Sequence, residues 1–497
     1  MDSNEGDDGQ NGFEEHQNRG DEHDRNSAGD PGGDGDPGGD EDPGGDGGGG
    51  GGSGEGEELY DDDDGYGDIN DPNRNYDNDY SDIVYPFAND DPGAPVEPRP
   101  YDISIAATHS YLGPGLVPVG GRAVLDAGWR GRVPAVAHHG VVFPGETVPM
   151  LLPHAPDAAR LLQAIRHDKL FGLLCPDDSG TKLSGYGALC EVTMAGFEEA
   201  GEAHESVAFK ARAIHRFRLL GVPRDSVPIR AYNKMRFVEV AVLAEMSARD
   251  ALRGVRLASL DRLRARDARA PLQRRLRALD ALATPWPRFV YELFDLDAMR
   301  RTIRDYFATL ALAERLPDDP VALSFWVASN LPLTPVDRLD LFIVDNALVR
   351  LQTECRLIDK KIILCCMSCF TTIAMQEDIF AMSSEGVHSN YTNLGGYMHD
   401  IVTVSGVVNV QLSGRPSSEF SWFPGYAWSV ALCADCNAHI GWRFTALHRH
   451  LRPYMFFGLC RNYVQPREPS EVRALLEPYG AEPGRRAFES DVTSDDD

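Results

Sequence analysis

Four cysteines stand as two spaced pairs, Cys366-x2-Cys369 and Cys433-x2-Cys436. Each pair is half of a tetrahedral zinc set, and four thiolates make a closed structural site with no open position for water. The expected cofactor is therefore one structural Zn2+, with a redox CxxC or buried free thiols as the competing readings. Cys365 is a poorer ligand than its neighbour Cys366, because only Cys366 keeps the two-residue spacing to Cys369. The 63 residues between the pairs are strand-like, so the metal would clamp two ends of a β domain rather than organise a small finger. Beside the second pair, "SWFPGYAWSVALCADCNAHIGWRF" (421–444) holds three of the six tryptophans. Packing in a core is the ordinary use of tryptophan. Pro424 and Gly425, however, force a turn next to Trp422, and turns lie at the surface. Trp422, Trp428 and Trp442, with Tyr426 and Phe444 adding two more aromatic faces, would make a cage for a small flat or cationic ligand. Nearby backbone groups could then read its polar edge.

The elements that must position these residues follow from composition and period. The formal charge is −29, but residues 1–100 carry 31 Asp and Glu against 4 Arg, while the rest carries 46 acidic and 44 basic residues. No folded region has a basic excess, which argues against a direct nucleic-acid partner. No apolar run reaches the roughly 18–20 residues of a bilayer span, and acids rather than a signal peptide follow Met1. The chain reads as soluble and without a membrane span, located in nucleus and cytoplasm. In such a reducing compartment CxxC pairs suggest metal before disulfide.

Residues 1–100, with the repeated DPGGD, have too little apolar surface to fold and form an expected disordered acidic Gly/Asp-rich tail. A β domain is expected over 101–237, with short strands from Val133 to about Phe237 and "SVAFKARAIHRFRLLGV" placing Val207, Phe209, Ala211 and Ala213 on one face. A helical segment is expected over 238–359, where Leu296, Met299, Ile303, Tyr306, Phe307 and Leu310 form one stripe. The Arg-rich stretch 249–277 has leucines at helical spacing and intervening acids, and reads as a solvated amphipathic face. A second β domain covers 360–468, with "IVTVSGVVNVQLSG" (401–414) as its clearest alternating run, and 469–497 reads as a disordered tail.

The quoted segment, extended to "RPSSEFSWFPGYAWSVALCADCNAHIGWRF" and joined by "LCCMSC" and "NLGGYMHD", closely resembles the thalidomide-binding CULT domain of the cereblon family. "THSYLG" and "VVFPGETVPMLL" look like that family's Lon N-terminal-like domain. "TPWPRFVYELFDLDAMRRTIRDYF" and "LPLTPVDRLDLFIVDNALVRLQTEC" are similar to its helical segment. The resemblance spans roughly residues 101–465. It implies an α+β multidomain chain: a Lon N-terminal-like β domain, a helical segment and a zinc-bound, all-β CULT domain of two antiparallel sheets. It further implies a non-catalytic substrate receptor of a cullin-4 RING ubiquitin ligase, joined through damaged-DNA-binding protein 1, the adaptor, on the helical segment. The ligands would be cyclic imides, both thalidomide-type compounds and degrons on substrate proteins destined for ubiquitination and proteasomal degradation. Carried over, Trp422, Trp428 and Trp442 would wall the pocket and Tyr426 and Phe444 close it. The backbone around Phe420–Trp422 would bond the imide, Asn393 would lie at the rim, and Tyr397 and His399 would form the substrate-docking surface. Zinc would be held by Cys366, Cys369, Cys433 and Cys436.

Two departures stand out. Phe420 replaces a histidine of the family motif, removing one possible side-chain hydrogen bond, and Gly395 lacks the family's histidine in that turn. A protease is excluded, since no P-loop accompanies the Lon-like region. The enzyme alternative is a methionine sulfoxide reductase using Cys460, because "CADCNAHIGW" looks like that family's zinc motif and Arg461 offers a cation for a thiolate. Trp442 stands where that motif has its second histidine. A nucleoside- or acyl-binding module without any ligase is the third reading.

Overall fold

The computed structural model describes residues 97–121, 124–152, 155–198, 206–221, 227–247, 257–266, 270–285 and 287–476. The expected tails, apart from residues 97–100 and 469–476, lie outside the described residues.

A seven-stranded sheet forms the first layer, in the order Val117–Pro118, Leu183–Glu198, Leu170–Pro176, Arg130–Ala137, Arg236–Val242, Ser206–Leu219, Thr147–Leu152. Leu183–Glu198 also pairs with Ser206–Leu219, so the sheet closes on itself into a small barrel with Phe171 and Phe209 packed edge to face inside. Arg130–Ala137 runs parallel to Leu170–Pro176, and parallel neighbours need a long crossover. Helix Ala155–His167 lies in that crossover, burying Ala158, Leu161 and Ala164 at helical spacing. The strand-only expectation for this region missed it, because a single amphipathic helix between strands leaves little mark in a β-rich stretch. The boundary at 237 is also corrected. Val238, Val240 and Val242 are buried on alternate positions, so strand Arg236–Val242 continues the sheet, and the described α-helices of the helical segment begin at Asp261.

The helical segment has Ala270–Leu282, Arg288–Leu293, Leu296–Thr309, Pro320–Asn330, Pro335–Ile343 and Ala347–Ile358 as its main pieces. Asp295 caps Leu296–Thr309 by accepting from the Ala298 amide at 3.1 Å, and Met299, Ile303 and Phe307 are buried as the stripe requires. Pro320–Asn330 is an interior helix, buried nearly all round. The run from Pro335 to Ile358 is two helices, since a Thr334–Asp337 capping box starts the first and Asn346 caps the second.

The C-terminal domain has two antiparallel sheets. Thr372–Met375, Ile363–Cys366 and Val464–Arg467 make the smaller. The larger runs His388–Thr392, Met398–Val404, Met455–Cys460, His439–Ala446, Tyr426–Cys433, Val410–Ser417. The alternating run 401–414 is thus divided between the second strand and the far edge, with Asn409 in the left-handed region (φ 57°) between them. Alternation signals a strand but not its neighbour. Helix Pro469–Leu476, with Val472 buried, corrects the expectation that the tail starts at 469.

The first described residues also sit differently from expectation. Arg99–Pro100 pairs with Leu451–Arg452, and Tyr101 and Ala106 are buried in the C-terminal core, the Tyr101 ring 5.5 Å from Tyr426. Residues 99–112 therefore support the C-terminal domain rather than opening the Lon-like one, a contact no local pattern announces. The architecture is the α+β one implied by the sequence: a β-barrel domain, a helical segment and an all-β C-terminal domain. Among the described residues no helix is long and apolar enough to cross a membrane.

Candidate functional site

The four cysteines come from two turns of identical design. After Cys366-x2-Cys369, Phe370 adopts φ 64° and its amide bonds back to the Cys366 carbonyl at 2.9 Å. After Cys433-x2-Cys436, Asn437 adopts φ 57° and bonds back to Cys433 at 2.9 Å. Each knuckle turns both of its thiols toward the other pair. All four sulfurs lie within 4.8 Å of one another, with Cys366–Cys436 at 3.6 Å and Cys369–Cys433 at 3.5 Å. Sulfurs ~2.3 Å from a tetrahedral zinc would be ~3.8 Å apart, so the set fits that ion. Cys365 is buried beside the cluster and is not part of it.

The aromatic cavity is a product of sheet register. Trp428 faces Phe444 and Val430 faces Trp442 across the central strand pair, so the four side chains share one face. Trp442 can sit there because Gly441 (φ 153°) lets its strand approach the next one closely. A Cβ at Gly441 would lie 2.1 Å from the Gly458 carbonyl oxygen. Trp422 arrives from the preceding loop. Phe423 anchors that loop in the core, Gly425 (φ 93°) turns it, and the Trp422 indole N–H donates to the Thr392 carbonyl at 3.0 Å. Trp422 lies edge-on to Trp442 (ring centroids 4.7 Å) and stacks on Tyr391 (5.3 Å, 14° between planes). Trp428 differs: its indole N–H donates to the Glu419 carbonyl at 2.8 Å, and it is only half-buried.

These walls enclose a cavity of about 390 Å3 that Asn393, Leu394, Gly395, Phe420, Val430 and His439 complete. Of the residues expected in the pocket, the structure brings Trp422, Trp428, Trp442, Phe444, Phe420 and Asn393 to it. Tyr426 is corrected. It is fully buried one pair beyond Trp428, opposite Ala446, where its hydroxyl donates to the Pro453 carbonyl at 2.8 Å and its ring packs on Phe456. It supports the wall from beneath rather than lining it. Phe420 holds φ 52° and lies edge-on to Tyr111 at 5.2 Å, so its ring is braced by the chain's first described segment.

The rim is the hairpin turn between His388–Thr392 and Met398–Val404. The Asn393 side chain closes it by accepting from the Tyr397 amide at 2.9 Å, with Gly396 at φ 78°. Tyr397 is 65% exposed and free for contact. His399 is not a free surface group, for its ring packs edge-on to Trp442 at 5.1 Å and meets Asn393 at 3.3 Å. Burial, then the nearby His439 and His139, pushes its pKa down to about 4, so it is neutral at pH 7. His439, 4.7 Å from Trp442, lines the cavity without having been expected there, as do the apolar Leu394 and Val430. Its signal was its place three residues before Trp442 at the start of the same strand, visible only once the Gly441 irregularity is known.

The cavity offers apolar walls and carries no acid–base pair, His439 being the one titratable side chain among its described lining residues. Cys460 is buried, its thiol pushed up by burial and then by the Asp400 charge. Arg461 is engaged with Asp400 at 3.1 Å and the Ser329 carbonyl at 3.0 Å. A nucleophilic thiolate needs the opposite environment.

Fold and site together define a multidomain chain whose C-terminal β domain sets a four-cysteine cluster beside an aromatic-walled cavity. Residues 362–472 match the family described as "Yippee zinc-binding/DNA-binding/Mis18, centromere assembly". The chain is 31% identical over 388 residues to protein cereblon of Gallus gallus, covering 74% of this chain and 85% of that protein. It is also 31% identical to the cereblons of Xenopus tropicalis (over 389 residues) and Danio rerio (over 391), covering 74% of this chain and 85% and 88% of theirs. A Lon N-terminal domain protein from Xanthomonas campestris is 17% identical, over 45% of this chain and 96% of that one, at a TM-score of 0.27. The chain belongs to the cereblon family.

Proposed function

We propose that this chain is the non-catalytic substrate-recognition subunit of a cullin-4 RING ubiquitin ligase, acting in nucleus and cytoplasm. It recruits proteins for ubiquitination by holding a cyclic imide in the tryptophan cage. The observation that carries the reading is the cage itself: three indoles and Phe444 around about 390 Å3, with Phe420 and Trp422 of the preceding turn in its lining. A glutarimide enters edge-first, its apolar ring against Trp422, Trp428 and Trp442, while the backbone of Phe420–Trp422 pairs with the imide N–H and carbonyls. Water is excluded on three sides, so each polar group left unpaired costs about 1–3 kcal/mol. One Zn2+ on Cys366, Cys369, Cys433 and Cys436 holds the two knuckles together and supplies no chemistry at the cage. Tyr397 and the His399 side of the rim present the bound ligand to the substrate protein. The helical segment carries the adaptor, damaged-DNA-binding protein 1; the exposed Leu279, Leu282, Phe289 and Leu293 on Ala270–Leu282 and Arg288–Leu293 support this.

The test is a titration of the full chain with a glutarimide and its N-methyl form. Binding of the first, with loss of at least about tenfold for the second, is the expected result. Equal affinity, or none for either, would overturn the pocket assignment. The buried, raised thiol of Cys460 gives the reductase reading no support.

A further inference from the structure

A second cavity, about 800 Å3, opens beside the cage and is twice its size. Asn393 lines both. The wall between them is built from His399, whose ring packs on Trp442 at 5.1 Å, and His439, which packs on Tyr463 at 5.7 Å. From the rim the groove runs between the C-terminal domain and the Lon-like turn at Asp177–Gly180. Two features give it a chemistry. Its floor has exposed Met367, Tyr397 and Tyr463 and half-buried Met398, adaptable apolar surface of the kind that accepts varied side chains. Its far side is acidic, with Asp177, Asp178 and Glu471 against one permanent cation, Arg467, which lies over the Phe370 ring at 4.5 Å. Asp178 also stands close enough to Asp340 that its charge, after burial, helps raise the Asp340 carboxyl.

We propose that this groove receives the extended segment immediately upstream of a substrate's C-terminal cyclic imide, preferring an apolar residue near the cage and a lysine or arginine further back. The proposal rests on the imide reading of the cage and adds a sequence preference to it. The continuity at Asn393 sets the direction. A cyclised terminal residue fills the cage, and its preceding backbone must leave across the rim, where Tyr397 and Met398 meet it first. Each further residue advances roughly 3.3 Å in extended form, so a few residues carry the chain to the aspartate turn. An acidic segment would meet Asp177, Asp178 and Glu471 with like charge and be disfavoured.

The test compares three fluorescent probes on the full chain: a bare glutarimide, a hexapeptide ending in cyclised glutamine with leucine and lysine upstream, and the same peptide with glutamate for lysine. The lysine peptide is expected to bind roughly tenfold tighter than the bare imide, and the glutamate peptide at least about threefold weaker than the lysine one. Asp178→Lys, on an exposed turn remote from the cage, should reverse the order of the two peptides and leave the bare imide unchanged. Equal binding of imide and lysine peptide, or peptide binding indifferent to Asp178→Lys, overturns the groove and leaves the cage standing. Failure of all three probes to bind overturns the cage reading, and the groove with it.

Discussion

Trp428→Ala is the substitution that best separates ligand binding from folding, and the geometry says why. Trp422 is 6% exposed and wedged between Tyr391 and Trp442, so truncating it would damage the core as well as the cage. Trp428 lies half-buried and is held by one hydrogen bond, indole N–H to Glu419 carbonyl, at 2.8 Å. Losing that bond costs about 0.5–1.5 kcal/mol of stability. The wall it forms is worth more to a ligand. One indole face covering roughly 80 Å2 of apolar ligand surface at about 25 cal/mol/Å2 contributes about 2 kcal/mol, close to a 30-fold change in affinity. Calorimetric titration with a glutarimide should show that loss, while thermal unfolding falls only slightly and zinc content by plasma mass spectrometry stays at about one per chain. Retained affinity would mean that Trp428 is mere surface and that the cage is not where the imide binds. A collapse of stability would show instead that its packing was underestimated.

Three further outcomes are expected. Cys433→Ser should cost the chain its zinc and unfold the C-terminal domain by circular dichroism, since ligation in small zinc domains is worth on the order of 10 kcal/mol; folded, zinc-free protein would refute the site. Phe289→Asp, a charge placed on a side chain 62% exposed in the helical segment, should abolish co-purification with the adaptor and leave imide affinity unchanged; intact co-purification would move the contact elsewhere. Glu354 is fully buried, neither carboxylate oxygen has a hydrogen-bond partner among the described residues, and burial raises its pKa well above 4.5 despite Arg350 nearby. A raised folded value means that stability is full below about pH 4.5 and is lost progressively as pH rises toward the folded value. Glu354→Gln should therefore flatten the fall in melting temperature between pH 5 and pH 8, and parallel profiles would refute the assignment.

The cysteine spacing and the cluster of indoles were legible because both are local chemistry. A CxxC pair can present two thiols from one knuckle whatever surrounds it, and the pairs at 366 and 433 needed only to meet. The stripe of Met299, Ile303 and Phe307 was legible for the same reason, as helical period is written within four residues. What the tertiary structure alone decided were neighbours and sides. Tyr426 and Trp428 alternate on one strand and look equivalent in sequence, yet the strand's ends differ, and Tyr426 meets Tyr101 and Phe456 where Trp428 meets open space. Strand alternation in 401–414 could not say that its halves lie at separate places in the sheet. Residues 99–112 brace Phe420 through a contact between Tyr111 and a residue some 300 positions away in the chain. Local sequence fixes backbone state and side-chain period, whereas long-range docking is chosen by which apolar surfaces remain to be covered once the elements exist.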